Sequence, residues 1–445
     1  MITQAEIQTA ELCLELTRRH GAQQARVSIS KSEEDLIATL NGEVDKVTHC
    51  ADRSLSVALF VDGRFGSFST NKLDPESLDV FIAKSVDIVR MLAPDPCRKL
   101  PEPERTVKDA TTGNELELLD PFYPNITADI RRKTALAACI TGDRELIGDW
   151  KLISEEGEYS DSIYDSLIMD TNGLRCFHSE NSFDYGVEVT IEADGEKYSS
   201  YDWDSASRFS ELKAASCGAK ALDNAIGKVG AQPLESGRYN AVVESRVASK
   251  LVSPLLRAIN GYALQQNNSF LMDSLGKKVL PEGLTIVDLP RIKGQNCSKY
   301  FDSEGVATKD MSIVEKGVVS SYFINSYMSG KLGMDATIEE ATRPKVLPWP
   351  KAGLDRDAIM KLCGDGILIT DFNGGNSNPA TGDFSYGIEG YAFRDGKIVA
   401  PLSEMLMTGN FLSLWEGLIA CGDDCRSCMS KLIPTLAFSN VDFSG

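Results

Sequence analysis

The sequence predicts an α+β protein: an N-terminal mixed α/β domain followed by a β-rich, barrel-like C-terminal domain with packed helices. Three observations carry that prediction. The 445 residues exceed the roughly 250–300 at which a single core stops growing, so two or three domains are expected. Helix-period and strand-period stretches alternate through the first half. The second half is dense in turn signals, as in FDSEGVATKD, VEKGVVSSYF and ITDFNGGNSNPATGDFSYGIEGYAFRDGKIVAPL, which suits short strands of a curled antiparallel sheet.

In chain order, MITQAEIQTAELCLEL reads as helix, with Thr3 and Glu6 spaced for a capping box. The stretches ARVSISKSEEDLIATLNGEVDKVTH and RSLSVALFVDGRFGSFS alternate polar and apolar residues and hold hairpin dipeptides at Asn41-Gly42 and Asp62-Gly63. Next, LDPESLDVFIAKSVDIVRML reads as helix: Asp74 is placed as N-cap, Pro75 opens the first turn, and Leu78, Phe81, Ile82 and Val89 share a face. Six of the seventeen prolines fall between Leu92 and Asn125, the mark of a linker or an extended wrap. A helix is expected from about Thr127 to Ile140, strands from Lys151 to Asp202, and a helix over RFSELKAASCGAKALDNAIGKV. Asp395-Gly396 signals a further hairpin. The domain division expected is 1–95 (α/β), 96–126 (Pro-rich linker), 127–230 (a middle α/β segment packed with the first) and 231–445 (β-rich).

Net charge is −19, from 46 Lys plus Arg against 65 Asp plus Glu. Such a surface repels phosphate backbones, and no basic stripe with interleaved aromatics occurs, so direct nucleic-acid binding is disfavoured. No run of eighteen apolar residues exists to span a membrane. The acidic, Gln-rich opening is unlike a signal peptide, so a cytoplasmic location is expected. The odd count of eleven cysteines in a long chain points to reduced thiols.

Metal and nucleophile candidates are sparse. The histidines are His20, His49 and His178, none in a His-Glu pair. Cys176 and His178 share a face if their segment is a strand, but two groups make a poor metal site. CGDDCRSC supplies Cys421, Cys425 and Cys428; Cys425-x-x-Cys428 is half of a four-ligand zinc motif, and no second half lies nearby. No Gly-x-Ser-x-Gly elbow occurs. The Gly-rich run Asp371 to Gly390 lacks the Gly-Lys-Ser/Thr ending of a phosphate loop; Gly374 and Gly375 either permit tight turns or line a cleft where a peptide backbone approaches.

FDSEGVATKDMSIVEKGVVSSYFINSYMSGKLGM, TGDFSYGIEGYAFRDGKIVAPLSEMLMTGN and NGEVDKVTHCADRSLSVALFVDGRFGSFST resemble the TldD/PmbA family, often labelled modulators of DNA gyrase. The similarity runs over nearly the whole chain, with the segments in order. It implies a metallopeptidase system that processes peptides or small unfolded proteins through paired subunits. In the metal-bearing TldD subunit a helix carries His-Glu-x-x-x-His and a C-terminal cysteine adds a ligand; PmbA, or TldE, lacks the motif.

The matching helix here is SRVASKLVSPLLRAINGYALQQ, with Val247, Leu251, Leu255, Ile259 and Ala263 on one side and Pro254 as a kink. At the motif stand Arg257 and Tyr262 for the histidines and Ala258 for the glutamate. A guanidinium repels a divalent metal, a phenol with a reference pKa of about 10 is a poor ligand at neutral pH, and alanine cannot act as general base. The resemblance therefore implies a PmbA/TldE-like subunit without a metal or catalytic residue of its own. It would pair with a zinc-bearing TldD-like chain, and self-pairing as an isolated homodimer is compatible with that role. Arg257, Asn260 and Tyr262 either face a peptide cleft or fill the vacant metal pocket. Two other readings stay open: a self-sufficient peptidase using Cys421, Cys425 and Cys428 as zinc ligands or nucleophile, and a non-proteolytic peptide-binding regulator.

Overall fold

In the computed structural model, Thr3 opens the first helix, α1 (Gln4–Arg19): its hydroxyl accepts the Glu6 N–H at 3.3 Å, and Glu6 Oε2 accepts the Thr3 N–H at 2.7 Å. The predicted capping box is present. The chain then folds back through β1 (Gln24–Leu40), β2 (Glu43–Val61) and β3 (Arg64–Thr70). Both intervening turns put two residues at positive φ, Asn41 and Gly42 at 50° and 81°, Asp62 and Gly63 at 52° and 72°. That geometry matches the strand twist and explains the dipeptides. Asp74 caps α2 (Pro75–Arg90) through the Ser77 N–H at 2.9 Å.

After α3 (Ala128–Ala137) come β4 (Lys151–Asp170), β5 (Arg175–Ala193) and β6 (Glu196–Ala206). The six strands form one antiparallel sheet in the order β3-β2-β1-β4-β5-β6. Helices α1 and α2 lie on it through Leu14, Leu16, Leu78, Ile82 and Val86 against Val27, Ile29, Val57 and Leu59, all buried. The expected helix over residues 208–229 is shorter, α4 (Cys217–Gly227), preceded by two 3₁₀ turns. The cause is competition for backbone donors. Asp120 accepts the Phe209 N–H at 2.8 Å and Asp204 the Lys213 N–H at 2.8 Å, so neither serves a helix.

The structure describes residues 1–140 and 148–445, which fall into two units. The first is Met1–Ala225 together with Arg291–Thr308 and Asn325–Glu339. Residues 96–126 belong to it. The helix α7 (Ser326–Leu332) is held there by Arg98, whose guanidinium lies 4.6 Å from the Phe65 ring and 3.3 Å from the Tyr327 ring. Asp95 adds a 3.0 Å ion pair to Lys331 and accepts the Tyr327 hydroxyl at 2.9 Å.

The second unit is Ile226–Pro290, Lys309–Ile324 and Glu340–Gly445. It contains β7 (Gly237–Val243), α5 (Ser249–Ala258), α6 (Gly261–Gln265), and a small sheet of β8 (Ile286–Asp288), β9 (Met311–Glu315), β10 (Val318–Val319) and β11 (Pro344–Val346). Then come α8 (Arg356–Cys363), β12 (Gly366–Ser377), β13 (Asp383–Arg394), β14 (Lys397–Asn410), α9 (Phe411–Glu416), β15 (Leu418–Cys421) and β16 (Leu436–Ser444). Strands run β14-β13-β12-β7-β16, and β14 pairs back to β16 at Leu406↔Ser444 and Met407↔Phe443, closing a five-strand barrel. The Asp395-Gly396 hairpin joins β13 to β14. One pairing differs from an all-antiparallel sheet: β7 and β12 are parallel. The long connection between them permits it, as a tight hairpin would not. Against the barrel, α8 packs Ile359 and Met360 on Val242, Leu368, Phe393 and Ala437. No helix among the described residues is long and apolar enough to cross a membrane.

Candidate functional site

The segment SRVASKLVSPLLRAINGYALQQ is two helices, not one. Pro254 sits inside α5 without ending it, and the break comes at Ile259 and Asn260. Asn260 is extended (φ −84°, ψ 137°) and caps α6, its side-chain oxygen accepting the Tyr262 N–H at 3.0 Å. Phe323 fixes the break from outside. Its N–H donates to the Ile259 carbonyl at 2.9 Å and its carbonyl accepts the Gly261 N–H at 2.8 Å. A strand-like partner and a strong N-cap residue thus outcompete the continuous helix. Leu251, Leu255 and Ile259 are buried as the periodicity predicts, but past the break Leu264, not Ala263, is buried.

This break sets the geometry of the motif. On an unbroken helix, residues five apart point about 140° away from each other around the axis. Here Arg257 lies in the last turn of α5 and Tyr262 in the first turn of α6, both exposed, whereas Ala258 is 1% exposed. The donor set does not fit a metal. One position is cationic, one is a phenol, and the buried methyl offers no base.

Gly374 and Gly375, at φ 148° and 89°, lie in the exposed half of β12. A Cβ on Gly375 would stand 2.0 Å from the Ser385 carbonyl oxygen, so glycine is required by the strand pairing itself. Gly375 pairs with Tyr386, whose ring takes the Lys250 ammonium of α5 at 4.7 Å. That contact links the glycine hairpin to the start of α5.

The cysteine segment follows β15. Cys421 is buried, exchanges backbone hydrogen bonds with Trp349 at 2.8 and 3.0 Å, and has its thiol pushed up to about 12 by burial. Cys425 is half-buried and its thiol is also raised, first by burial and further by the neighbouring Asp423 and Asp424. The loop is fastened by Arg343, fully buried, whose Nη2 donates to the Ser427 carbonyl at 2.7 Å. Cys176 and His178 are both buried on β5 and share a face; His178 Nε2 stands 3.4 Å from Glu180 and packs edge-on against Phe301. Among the described residues no group of three or more His, Cys, Asp and Glu side chains converges as a metal site.

A cavity of about 310 Å³ opens where β7 ends, lined by Glu244 and Arg246 after the strand, Arg356 at the start of α8, and Asp424, Arg426 and Thr435 from the cysteine loop and its return. These residues lie in separate segments, and no local motif announces them.

Fold and sequence together define a member of a metallopeptidase family. The chain belongs to the PmbA/TldD family: the profiles of the PmbA/TldA metallopeptidase domain 1, central domain and C-terminal domain match residues 25–89, 124–229 and 236–445. It is 27% identical over 422 residues to the metalloprotease PmbA of Escherichia coli O157:H7, covering 93% of this chain and 91% of that one. A crystal structure from Bacteroides thetaiotaomicron, of a protein described as a modulator of DNA gyrase, is 35% identical, covers both chains fully and superposes with a TM-score of 0.94. TldE from Thermococcus kodakarensis shares the fold at 17% identity, with a TM-score of 0.84 over 98% of this chain and all of that one.

Proposed function

We propose that this chain is the non-catalytic, TldE-like subunit of a cytoplasmic metalloprotease complex that degrades peptides and small unfolded proteins. Its partner would be a TldD-like chain that holds the zinc and the general base. What supports this reading is the chemistry of Arg257, Ala258 and Tyr262, a cation, a buried methyl and a phenol where the family resemblance would set a ligand, a base and a second ligand. This chain's contribution would be a peptide-binding surface near the α5–α6 junction and the glycine hairpin. Extended substrates can add to exposed strand edges through backbone hydrogen bonds, which tolerates varied side chains.

The test is reconstitution with a TldD-like chain from the same source. Stable co-elution, zinc in the partner only, and casein or peptide hydrolysis by the pair but not by this chain alone are the expected results. Hydrolysis by the isolated chain, abolished by mutating Cys425 or Cys428, would instead favour the thiol-based reading.

A further inference from the structure

The cavity at the end of β7 is a different place from the α5–α6 motif, and its lining carries charge of both signs. Arg356 donates from Nη1 to Glu244 at 2.8 Å and from Nε to Asp357 at 2.9 Å. Asp424 accepts the N–H and the hydroxyl of buried Thr435 at 2.8 and 2.6 Å. Asp355 accepts the Ala358 N–H at 2.8 Å and caps α8. With Arg246 and Arg426, three guanidiniums face four carboxylates, and every other lining residue is a hydroxyl amino acid.

We propose that this cavity binds a small zwitterion, a free amino acid or a dipeptide. Its carboxylate would meet the guanidiniums of Arg246 and Arg426, and its ammonium the carboxylates of Glu244 and Asp424. The lining has no apolar side chain to reward burial of an apolar ligand. A polyanion would meet four carboxylates and a polycation three guanidiniums, so a ligand of one sign leaves repulsive contacts. A ligand with both signs finds a partner at each end. A guanidinium presents its N–H donors in a planar fork whose geometry matches a carboxylate. The volume, about 310 Å³, lies at the small end of the roughly 300–1,000 Å³ of ligand pockets and suits one or two residues of peptide. The carboxylate held by Thr435 and the ion pair at Arg356 fix the lining before a ligand arrives, which limits the ordering cost. The inference does not depend on pairing with a metal-bearing chain.

Isothermal titration calorimetry of the full-length protein with Ala-Ala, N-acetyl-Ala-Ala and Ala-Ala-amide tests it. Saturable 1:1 binding of Ala-Ala is expected, weakened about tenfold or more by capping either end, as loss of a charge-assisted partner predicts. Arg426→Gln and Arg246→Gln, each shown folded by circular dichroism, should weaken Ala-Ala binding by a similar factor. No saturable heat from Ala-Ala, equal binding of the capped peptides, or unchanged affinity in both folded variants would each overturn the proposal. Free alanine in a parallel titration separates an amino-acid site from a dipeptide site.

Discussion

Arg257 closes one helix and Tyr262 opens the next, joined by an extended Asn260 whose side chain accepts the Tyr262 N–H at 3.0 Å. The two side chains that the proposed function sets against the histidines of a TldD-like chain therefore sit on separate helices. Replacing both by histidine, Arg257→His with Tyr262→His, is expected to give a folded protein with no stoichiometric zinc. Catalytic zinc sites take three protein ligands, and two imidazoles fall short. Adding Ala258→Glu is expected to destabilise, because position 258 is 1% exposed and a larger side chain there costs about 1–3 kcal/mol in overpacking before its charge is counted. Elemental analysis and urea unfolding check both halves; one zinc per chain in the double variant would refute the first.

A second prediction concerns the first unit. Arg131 on α3 grips Asp161 on β4 through Nε at 2.6 Å and Nη2 at 2.8 Å, and reaches Asp35 on β1 at 2.9 Å. Asp161 is fully buried, Arg131 is 14% exposed, and Tyr159 donates to the same carboxylate at 3.0 Å. Removing one partner strands the other charge, so Arg131→Met is expected to lower stability by about 3–5 kcal/mol. Double replacement with Asp161→Leu should cost less than the single change. A double-mutant cycle by denaturant unfolding decides it, and additive losses would count against the pair.

These cases show where the sequence was legible. The capping box at Thr3, the Asp74 cap and the paired positive-φ turns are written within a few residues, so local chemistry reveals them. The helices expected over 208–229 and 245–266 are shorter in the structure because the competing partners, Asp120 and Phe323, lie far away in sequence. Barrel closure by β14 and β16 and the parallel β7–β12 pair are likewise long-range. At the motif, Arg257, Ala258 and Tyr262 gained meaning through resemblance, since a spacing of five on one helix would not by itself suggest a shared site. The polar cavity is not legible in the sequence because Glu244, Arg356 and Asp424 share no pattern along the chain.

The thiols of CGDDCRSC are expected to be slow nucleophiles. Burial pushes Cys421 up to about 12, and burial with two adjacent aspartates raises Cys425. The thiolate is the reactive form, so both should resist iodoacetamide at pH 7.5 in the native protein, while exposed Cys50 is alkylated first. Peptide mapping after timed labelling reads the order. Modification of Cys421 or Cys425 ahead of Cys50 would revive a nucleophilic role for that loop.

The last prediction is a pH dependence. Asp302, half-buried in the first unit, has its carboxyl raised to about 7, first by desolvation and then by the neighbouring charges of Glu304 and Glu339; the N–H groups of Val306 and Glu339 that it accepts, at 2.9 and 3.2 Å, oppose the shift only in part. An unfolded aspartate titrates near about 3.9, so between that value and about 7 the folded chain binds more protons than the unfolded chain. Stability from this group is therefore present below pH 4 and is lost as pH rises through 7. Asp302→Asn keeps an acceptor for the Val306 N–H and removes the titration. Relative to the wild type, the variant should gain stability between pH 5 and pH 8 in urea unfolding, even if the lost contact to Glu339 lowers it at both. A stability difference that does not change with pH would show that Asp302 is ionised throughout.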